Sequence, residues 1–404
     1  MALHTFDKRL LEFMYQLTLH QKLMAPKEMS QVITTQGKKV SERTIKRWLK
    51  WLKEHHYFTY YPHIITERIG LVKTVVFVSD LKNPKILDLI PYKTYLMSGA
   101  SLRELKNTFV VHYAIPEKHL DEFKNFWRKA LDAKLIGNYE LLKLRCSNIL
   151  YTPLHLAVEE DGRVDFSKKS RDASEIKIPD SKILNAEIHS KIKENPFLVP
   201  LLIEHYKAHA SSKKIWFSMK QKLSESIWDY IKDIKIKNKK NDGQGICLVR
   251  DTLNYLHKNF DMFFQQIRVS YGPLYVDDNI SFCGVLELRN ENEIKELFKK
   301  LLKNSLFIAY NESASGKKEL LFEITTNMSG MTEIFNMLSD LCNVKRISKL
   351  VLFNYTKSSE YWENKTKGWL KQHYHELFDP KTVSWRYDSK KYLQELKPLS
   401  ASGE

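Results

Sequence analysis

Leu10, Phe13, Met14 and Leu17 stand at i, i+3, i+4 and i+7, which predicts an amphipathic helix from about Phe6 to Gln21. Pro26 suits the first turn of a second, short helix with Met29, Val32 and Ile33 facing inward. Thr35-Gln36-Gly37-Lys38-Lys39 reads as a glycine-containing turn. Ser41 then has the chemistry of an N-cap, its hydroxyl accepting from free backbone N–H groups of a third helix. That helix, Glu42 to about His55, buries Ile45, Trp48, Leu49 and Leu52. The β-prone aromatic run Tyr57-Phe58-Thr59-Tyr60-Tyr61-Pro62 follows, placed as a wing would be.

From residue 72 the period changes. Strands are expected at Thr74–Val78, Tyr92–Met97, Thr108–Tyr113 and Tyr139–Arg145, with a short helix at Pro84–Ile90 and a long one at Glu117–Leu135. The order is βαββαβ, the ferredoxin-like split unit. Residues 153–183 turn polar and charged and read as a linker. The first half then repeats. Helical segments at Leu184–His209 and Lys213–Lys232 precede Val249–Phe260, where Thr252, Leu253 and Leu256 fall as Thr44, Ile45 and Trp48 do. A second βαββαβ follows, with strands at Ser281–Leu288, Leu306–Tyr310, Leu320–Thr325 and Lys349–Tyr355. The tail reads as a helix from Lys357 to about Phe378 and a short strand at Val383–Tyr387.

The fold class expected is therefore α+β, a winged helix-turn-helix followed by a ferredoxin-like βαββαβ domain, with the pattern repeated. In residue numbers, 1–71 is the winged helix, 72–152 the first split sheet and 153–183 the linker. Residues 184–278 form a second, degenerate winged-helix-like domain, 279–356 the second split sheet and 357–404 a C-terminal helix and tail.

Charge adds a partner to this picture. The 404 residues carry 65 Lys and Arg against 48 Asp and Glu, a formal net charge of +17. Such an excess favours a polyanion: DNA, RNA or an anionic membrane face. No run is long and apolar enough to span a membrane, and the N-terminus has no signal-peptide pattern. Cys146, Cys247, Cys283 and Cys342 form no C-x-x-C pair, which suits a reducing cytosol rather than a disulfide scaffold. A cytoplasmic, nucleoid-associated protein is the expectation.

The cations are patterned on the third helix. Arg43, Lys46, Arg47 and Lys50 form a stripe opposite the buried one, a geometry that lets one helix face meet a phosphate-lined groove. Ser41, Glu42, Arg43 and Thr44 at the helix start would lie nearest the bases. Lys46, Arg47 and Lys50 would reach bases or phosphates, and Lys38 and Lys39 would hold the backbone. Double-stranded DNA is the partner this implies. A sequence-tolerant architectural protein, using charge spread over both halves, is the alternative.

Three segments sharpen the reading. Phe6-Asp7-Lys8-Arg9-Leu10-Leu11, then Ser41 to Leu52, then Tyr61-Pro62-His63-Ile64 with Ile69-Gly70-Leu71, resemble the start of an Lrp/AsnC-type regulator. The resemblance implies a winged helix joined to a βαββαβ domain for ligand sensing and oligomerisation. It also implies a sequence-specific transcriptional regulator, of an archaeal-type tandem form, that binds as a dimer or higher oligomer. Two fused copies would allow an intramolecular pseudo-dimer instead. A small-molecule effector of unknown identity is possible, although the loop that reads Gly-x-x-Asp in the family is Gly99-Ala100-Ser101-Leu102 here, and Asn311–Lys318 offers no match in the second copy.

Other signals fall away. Asn311-Glu312-Ser313-Ala314-Ser315-Gly316-Lys317-Lys318 lacks the first glycine and the final Ser/Thr of a phosphate loop and reads as a hairpin turn. His55-His56 and His373-Tyr374-His375 have no accompanying ligand array, so no metal is expected. Tyr57, Tyr60, Tyr61, Trp362, Trp369 and Trp385 read as core or interface residues before base-stacking ones. No catalytic motif or cofactor fingerprint occurs, and the sequence reading is of a non-enzyme.

Overall fold

Asp7 opens the first helix: its carboxylate accepts from the N–H groups of Arg9 (2.9 Å) and Leu10 (3.2 Å), meeting the free donors of α1, Lys8–Leu19. The computed structural model describes residues 7–20, 24–55, 58–101, 107–156, 165–166, 194–195, 197–208, 212–220, 228, 242–259, 263–271, 279–288, 291–314, 319–354, 376–379, 382 and 384–401. After α1 come α2 (Pro26–Val32), the two-residue strands β1 (Thr34–Thr35) and β2 (Lys38–Lys39), and α3 (Glu42–His55). Leu10, Phe13, Leu17, Met29, Ile33, Ile45, Trp48 and Leu52 form their shared core. Val269, Leu306 and Phe307, from the far half of the chain, join the same cluster.

β3 (Phe58–Ile64) is not half of a local hairpin. It pairs antiparallel with β8 (Phe264–Tyr271), Phe58 opposite Tyr271 and Tyr60 opposite Val269. The wing expected at Tyr57–Pro62 is thereby replaced by a two-stranded ribbon that ties the halves of the chain together. Helices α5 (Leu198–Ala208), α6 (Ser212–Lys220) and α7 (Asp242–Lys258) lie before β8. The segment from Lys235 to Asn241 and the tail from Lys357 to Tyr374, with Trp362, Trp369 and His373, lie outside the described residues.

The centre of the molecule is a closed eight-stranded barrel. β4 (Leu71–Ser79), β5 (Lys93–Ser101), β6 (Asn107–Pro116) and β7 (Asn138–Tyr151) come from the first half. β9 (Ile280–Glu287), β10 (Phe307–Ser313), β11 (Glu319–Thr326) and β12 (Ile347–Asn354) come from the second. The order around the barrel is β10-β11-β9-β12-β5-β6-β4-β7. This corrects the expected fold class. Neither a tandem winged helix nor two independent ferredoxin-like sheets describes the chain, because the sheets share all their edges. The physical reason is plain: an open sheet leaves N–H and C=O rows unpaired at both edges, and closure satisfies them.

Both faces of the strands are accordingly dry. Val76, Val78, Val111 and Tyr113 face the helices, whereas Val75, Phe77, Met97, Val110, Leu142, Cys283, Val285, Leu321, Val351 and Phe353 fill the lumen. Outside the barrel, α4 (Leu120–Asp132) covers the first half, and α8 (Glu291–Leu302) and α9 (Met328–Asn343) cover the second. The first crossover of the first half is only a 3-10 turn, Pro84–Asp88. The chain's C-terminal part supplies extra cover there: β13 (Phe378–Asp379), β14 (Ser384–Trp385) and α10 (Ser389–Ala401) pack Phe378, Trp385, Tyr392 and Leu396 into the first-half core. The Trp385 indole N–H donates to the Ile69 carbonyl at 2.6 Å, beside Gly70, which holds the left-handed turn at φ 76°.

Candidate functional site

One end of the barrel is polar, and strand register builds it. Ser79, the last residue of β4, is the cross-strand partner of Thr108 on one side and Asn138 on the other. Glu140 is opposite Phe77, two residues further along, and so shares its lumenal side. Ser101 ends β5 opposite Val351 of β12. A register shift between Ile347 and Lys349 breaks the regular pairing of β12 at the point where Lys349 turns to the lumen. Together Phe77, Ser79, Ser101, Thr108, Asn138, Tyr139, Glu140, Lys349 and Val351 line a cleft of about 20 Å³, space for about one water molecule.

A carboxylate and an ammonium face each other over this cleft. Lys349 Nζ lies 3.6 Å from Glu140 Oε2, with the lysine side chain 23% exposed and the glutamate 39%. β7 and β12 are four places apart in a ring of eight, so the pair spans the lumen and joins the two halves of the chain. Phe77 and Val351 form an apolar floor beneath it, above the packed lumen. A half-screened pair at this separation is worth little in stability, about 0–1 kcal/mol. Its location says more than its strength does.

Other ionisable groups of the barrel are deeper. His112 of β6 is driven down to about 3 by burial first and Lys73 second, so it is neutral at physiological pH. Cys283 of β9 is raised by burial and then by Glu323, which leaves an unreactive thiol. Where the C-terminal segment packs on the barrel, Tyr92 and Tyr113 of the barrel side and Tyr387 and Tyr392 of the segment are all raised, chiefly by burial. The Tyr92 hydroxyl donates to the Arg386 carbonyl and Tyr113 to the Leu87 carbonyl, and Tyr387 stacks on His119 at 5.1 Å. These are packing roles. Among the described residues no group of three or more His, Cys, Asp or Glu side chains is placed to hold a metal, and no helix is long and apolar enough to cross a membrane.

The residues singled out in sequence lie elsewhere, on α3 and the turn before it, beyond the opposite end of β4. Ser41 Oγ accepts from the Thr44 N–H at 3.2 Å and sits 2.9 Å from Thr44 Oγ1. Lys38, Lys39, Ser41, Arg43, Lys46, Arg47 and Lys50 are exposed, and Glu42 and Thr44 are half-buried. Glu42 pairs with Lys46 at 2.6 Å and Glu54 with Lys50 at 3.8 Å. The structure thus gathers these side chains on one surface but gives them no part in the barrel cleft. Glu140 and Lys349, which sequence reasoning passed over, carry no local motif. β7 carries Lys143 and Arg145 as well, so sequence alone does not set Glu140 apart from its charged neighbours.

No family model matches the chain, and no curated protein does. Among solved structures it is similar to the siroheme decarboxylase NirDL, with a TM-score of 0.42 and 11% identity over 97% of this chain and 99% of that one. The same decarboxylase in complex with an iron-uroporphyrin III analogue gives 0.40 and 12%, over 99% and 100%. A provisionally assigned monooxygenase from Lactobacillus acidophilus NCFM gives 0.26 and 4%, over 70% and 92%. These are the names of those proteins; the expectation of an Lrp/AsnC-type DNA-binding regulator is corrected by this chain's own fold, a closed barrel. Their substrates are their own.

The structure supplies its own reason for that correction. The regulator reading places a free wing after α3, and among the described residues the strand there is paired instead. β3 is engaged along its length by β8. α7 buries Val249, Thr252, Leu253 and Leu256, and its Arg250 turns to Asp251 at 3.7 Å.

Proposed function

We infer that the polar end of the barrel binds a small zwitterionic molecule. The observation that carries this is the Glu140–Lys349 pair, held on opposite walls of the lumen and ringed by Ser79, Ser101, Thr108 and Asn138. An anion alone would take Lys349 and leave Glu140 without its partner, and a cation alone would do the reverse. A molecule carrying both signs slips between them and satisfies both, which avoids stranding a partly buried charge. The hydroxyls and the amide of the rim supply neutral donors and acceptors for the remainder of such a ligand. Any proton transfer on that molecule would use the carboxylate and the amine that face it.

Calorimetry with glycine, alanine and serine tests this, with acetate and methylammonium as single-charge controls. Saturable binding of at least one zwitterion, about tenfold or more tighter than either control, is expected, a difference of about 1.4 kcal/mol. Glu140→Gln and Lys349→Met should each abolish it. Absence of saturable heat for all three zwitterions overturns the reading.

A second reading attaches to α3. Its exposed Arg43, Lys46, Arg47 and Lys50, with Lys38 and Lys39, make a cationic face suited to a polyanionic partner. Arg43→Ala with Arg47→Ala should lower the salt needed to elute the protein from heparin. Unchanged elution would remove this reading.

A further inference from the structure

The end of β7 is fastened to the far half of the chain. The Thr152 N–H donates to the Leu306 carbonyl at 3.1 Å, and the Thr152 hydroxyl donates to the Leu302 carbonyl at 2.8 Å. The 3-10 turn Leu154–Leu156 follows, closed by the Leu156 N–H on the Pro153 carbonyl at 2.9 Å. This turn is a shelf fixed to the barrel, and α1 packs on it. α1 is itself tied to its own neighbours. Phe13 lies 5.3 Å from the Trp48 ring of α3, Arg9 sits over the same indole at 5.7 Å, and Arg9 Nε donates to Thr35 Oγ1 at 3.3 Å. The cationic face of α3 therefore goes where α1 goes.

A histidine sits in this joint. The His155 ring lies against Tyr15 of α1, centroids 5.9 Å apart, and among the described residues its buried Nδ1 makes no hydrogen bond. The groups that face it come from α1: the Tyr15 ring, and the Glu12 carboxylate, whose charge favours a protonated imidazole. Glu12 is already engaged, accepting from the Gln36 N–H at 2.7 Å. Burial outweighs the carboxylate and holds His155 below its ordinary 6.5, so the docked ring is neutral at physiological pH.

We propose that His155 makes this contact an acid-sensitive joint: protonation of the ring loosens α1 from the Leu154–Leu156 turn and frees the α1–α3 unit, with its cationic face, from the barrel. A charged imidazole carries two N–H donors, and the dry side of the joint meets neither water nor an acceptor. The exposed ring takes up its proton near 6.5 and the docked ring lower. Docking is thus complete above that value and weakens by up to about tenfold for each pH unit below it, until the docked value is reached. The joint stands on the contact of α1 with the turn, so failure of zwitterion binding in the cleft, or of polyanion binding at α3, leaves it untouched.

Hydroxyl-radical footprinting of the full chain tests it, with Phe126 and Trp127 of the first-half core as buried references. Phe307 belongs to the core that α1 shares with the barrel and reports on the joint together with Tyr15. Oxidation of both, relative to the references, should rise at least about threefold between about pH 7.5 and about pH 5.5. His155→Phe keeps a ring against Tyr15 and cannot titrate, so its pattern should be the same at both pH values. No rise in the unaltered chain overturns the joint, and so does an equal rise in His155→Phe. Should that variant not fold, the imidazole signals of His155 in the unaltered chain decide by NMR: a midpoint below 6.5 upholds the joint, and one at or above 6.5 overturns it.

Discussion

The two halves contribute the same strand order to the barrel and are clothed differently. In the second half, α8 and α9 lie over the sheet; the Phe166 N–H donates to Ser329 Oγ of α9 at 3.0 Å, while Met328, Phe335 and Val344 are exposed at 58%, 46% and 58%. In the first half the first crossover shrinks to the turn Pro84–Asp88, and the C-terminal segment adds cover beside α4. Tyr92 shows the consequence. It is fully buried, bonded to the Arg386 carbonyl, and packed against Trp385 at 6.4 Å and Tyr387 at 6.0 Å. The difference teaches that the first half takes its extra cover from the far end of the chain, whereas α9 of the second keeps apolar side chains exposed among the described residues.

Removing Trp385 should therefore break the comparison most strongly. Trp385→Ala loses a buried indole and its bond to Ile69, an expected cost of about 3–5 kcal/mol in chemical denaturation. Phe335→Ala, on the exposed face of α9, should stay within about 0.5 kcal/mol. Equal losses would mean that the C-terminal segment is an ornament.

A smaller effect is expected where β5 meets β12. Gly99→Ala forces a methyl group against the Leu352 carbonyl and should cost about 1–3 kcal/mol, as overpacking does. Exchange of the Val351 and Leu352 amides should rise with it, more than that of Ile149.

pH sharpens the asymmetry further. His112 lies in the first half, and β11 of the second has no histidine. Its folded value, near 3, is below its ordinary 6.5. The unfolded chain thus takes up a proton that the native one refuses. Its contribution is full above pH 6.5 and falls away as pH drops from 6.5 towards 3. His112→Leu should flatten that decline in a series of denaturation midpoints, and an unchanged slope would count against a neutral, dry histidine. Least of all should change with Lys46→Ala or Lys50→Ala, whose pairs along α3 lie in water, at about 0–1 kcal/mol.

Much of this was written locally in the sequence. The positions of β4, β5, β6, β7 and α4 follow from period alone, and Ser41 caps α3 as its chemistry suggests. Closure was harder to see, although a trace of it is there. In Thr74-Val75-Val76-Phe77-Val78 there is no apolar–polar alternation, and a strand with one wet face would show it. Val75 and Phe77 face the lumen while Val76 and Val78 face the helices. The pairing of Phe58 with Tyr271, and the meeting of Glu140 with Lys349, join residues from different halves with no local pattern to announce them. A basic stripe on an exposed helix is conspicuous in sequence. A single charge inside a barrel is not.

The opposed charges of the barrel end can be exchanged. In a calorimetric titration with the best-bound zwitterion, Glu140→Lys and Lys349→Glu should each abolish binding, and the double swap should recover a saturable isotherm because both signs again face the lumen. Binding that survives either single change, or a double swap that stays silent while its fold is intact, would contradict the account.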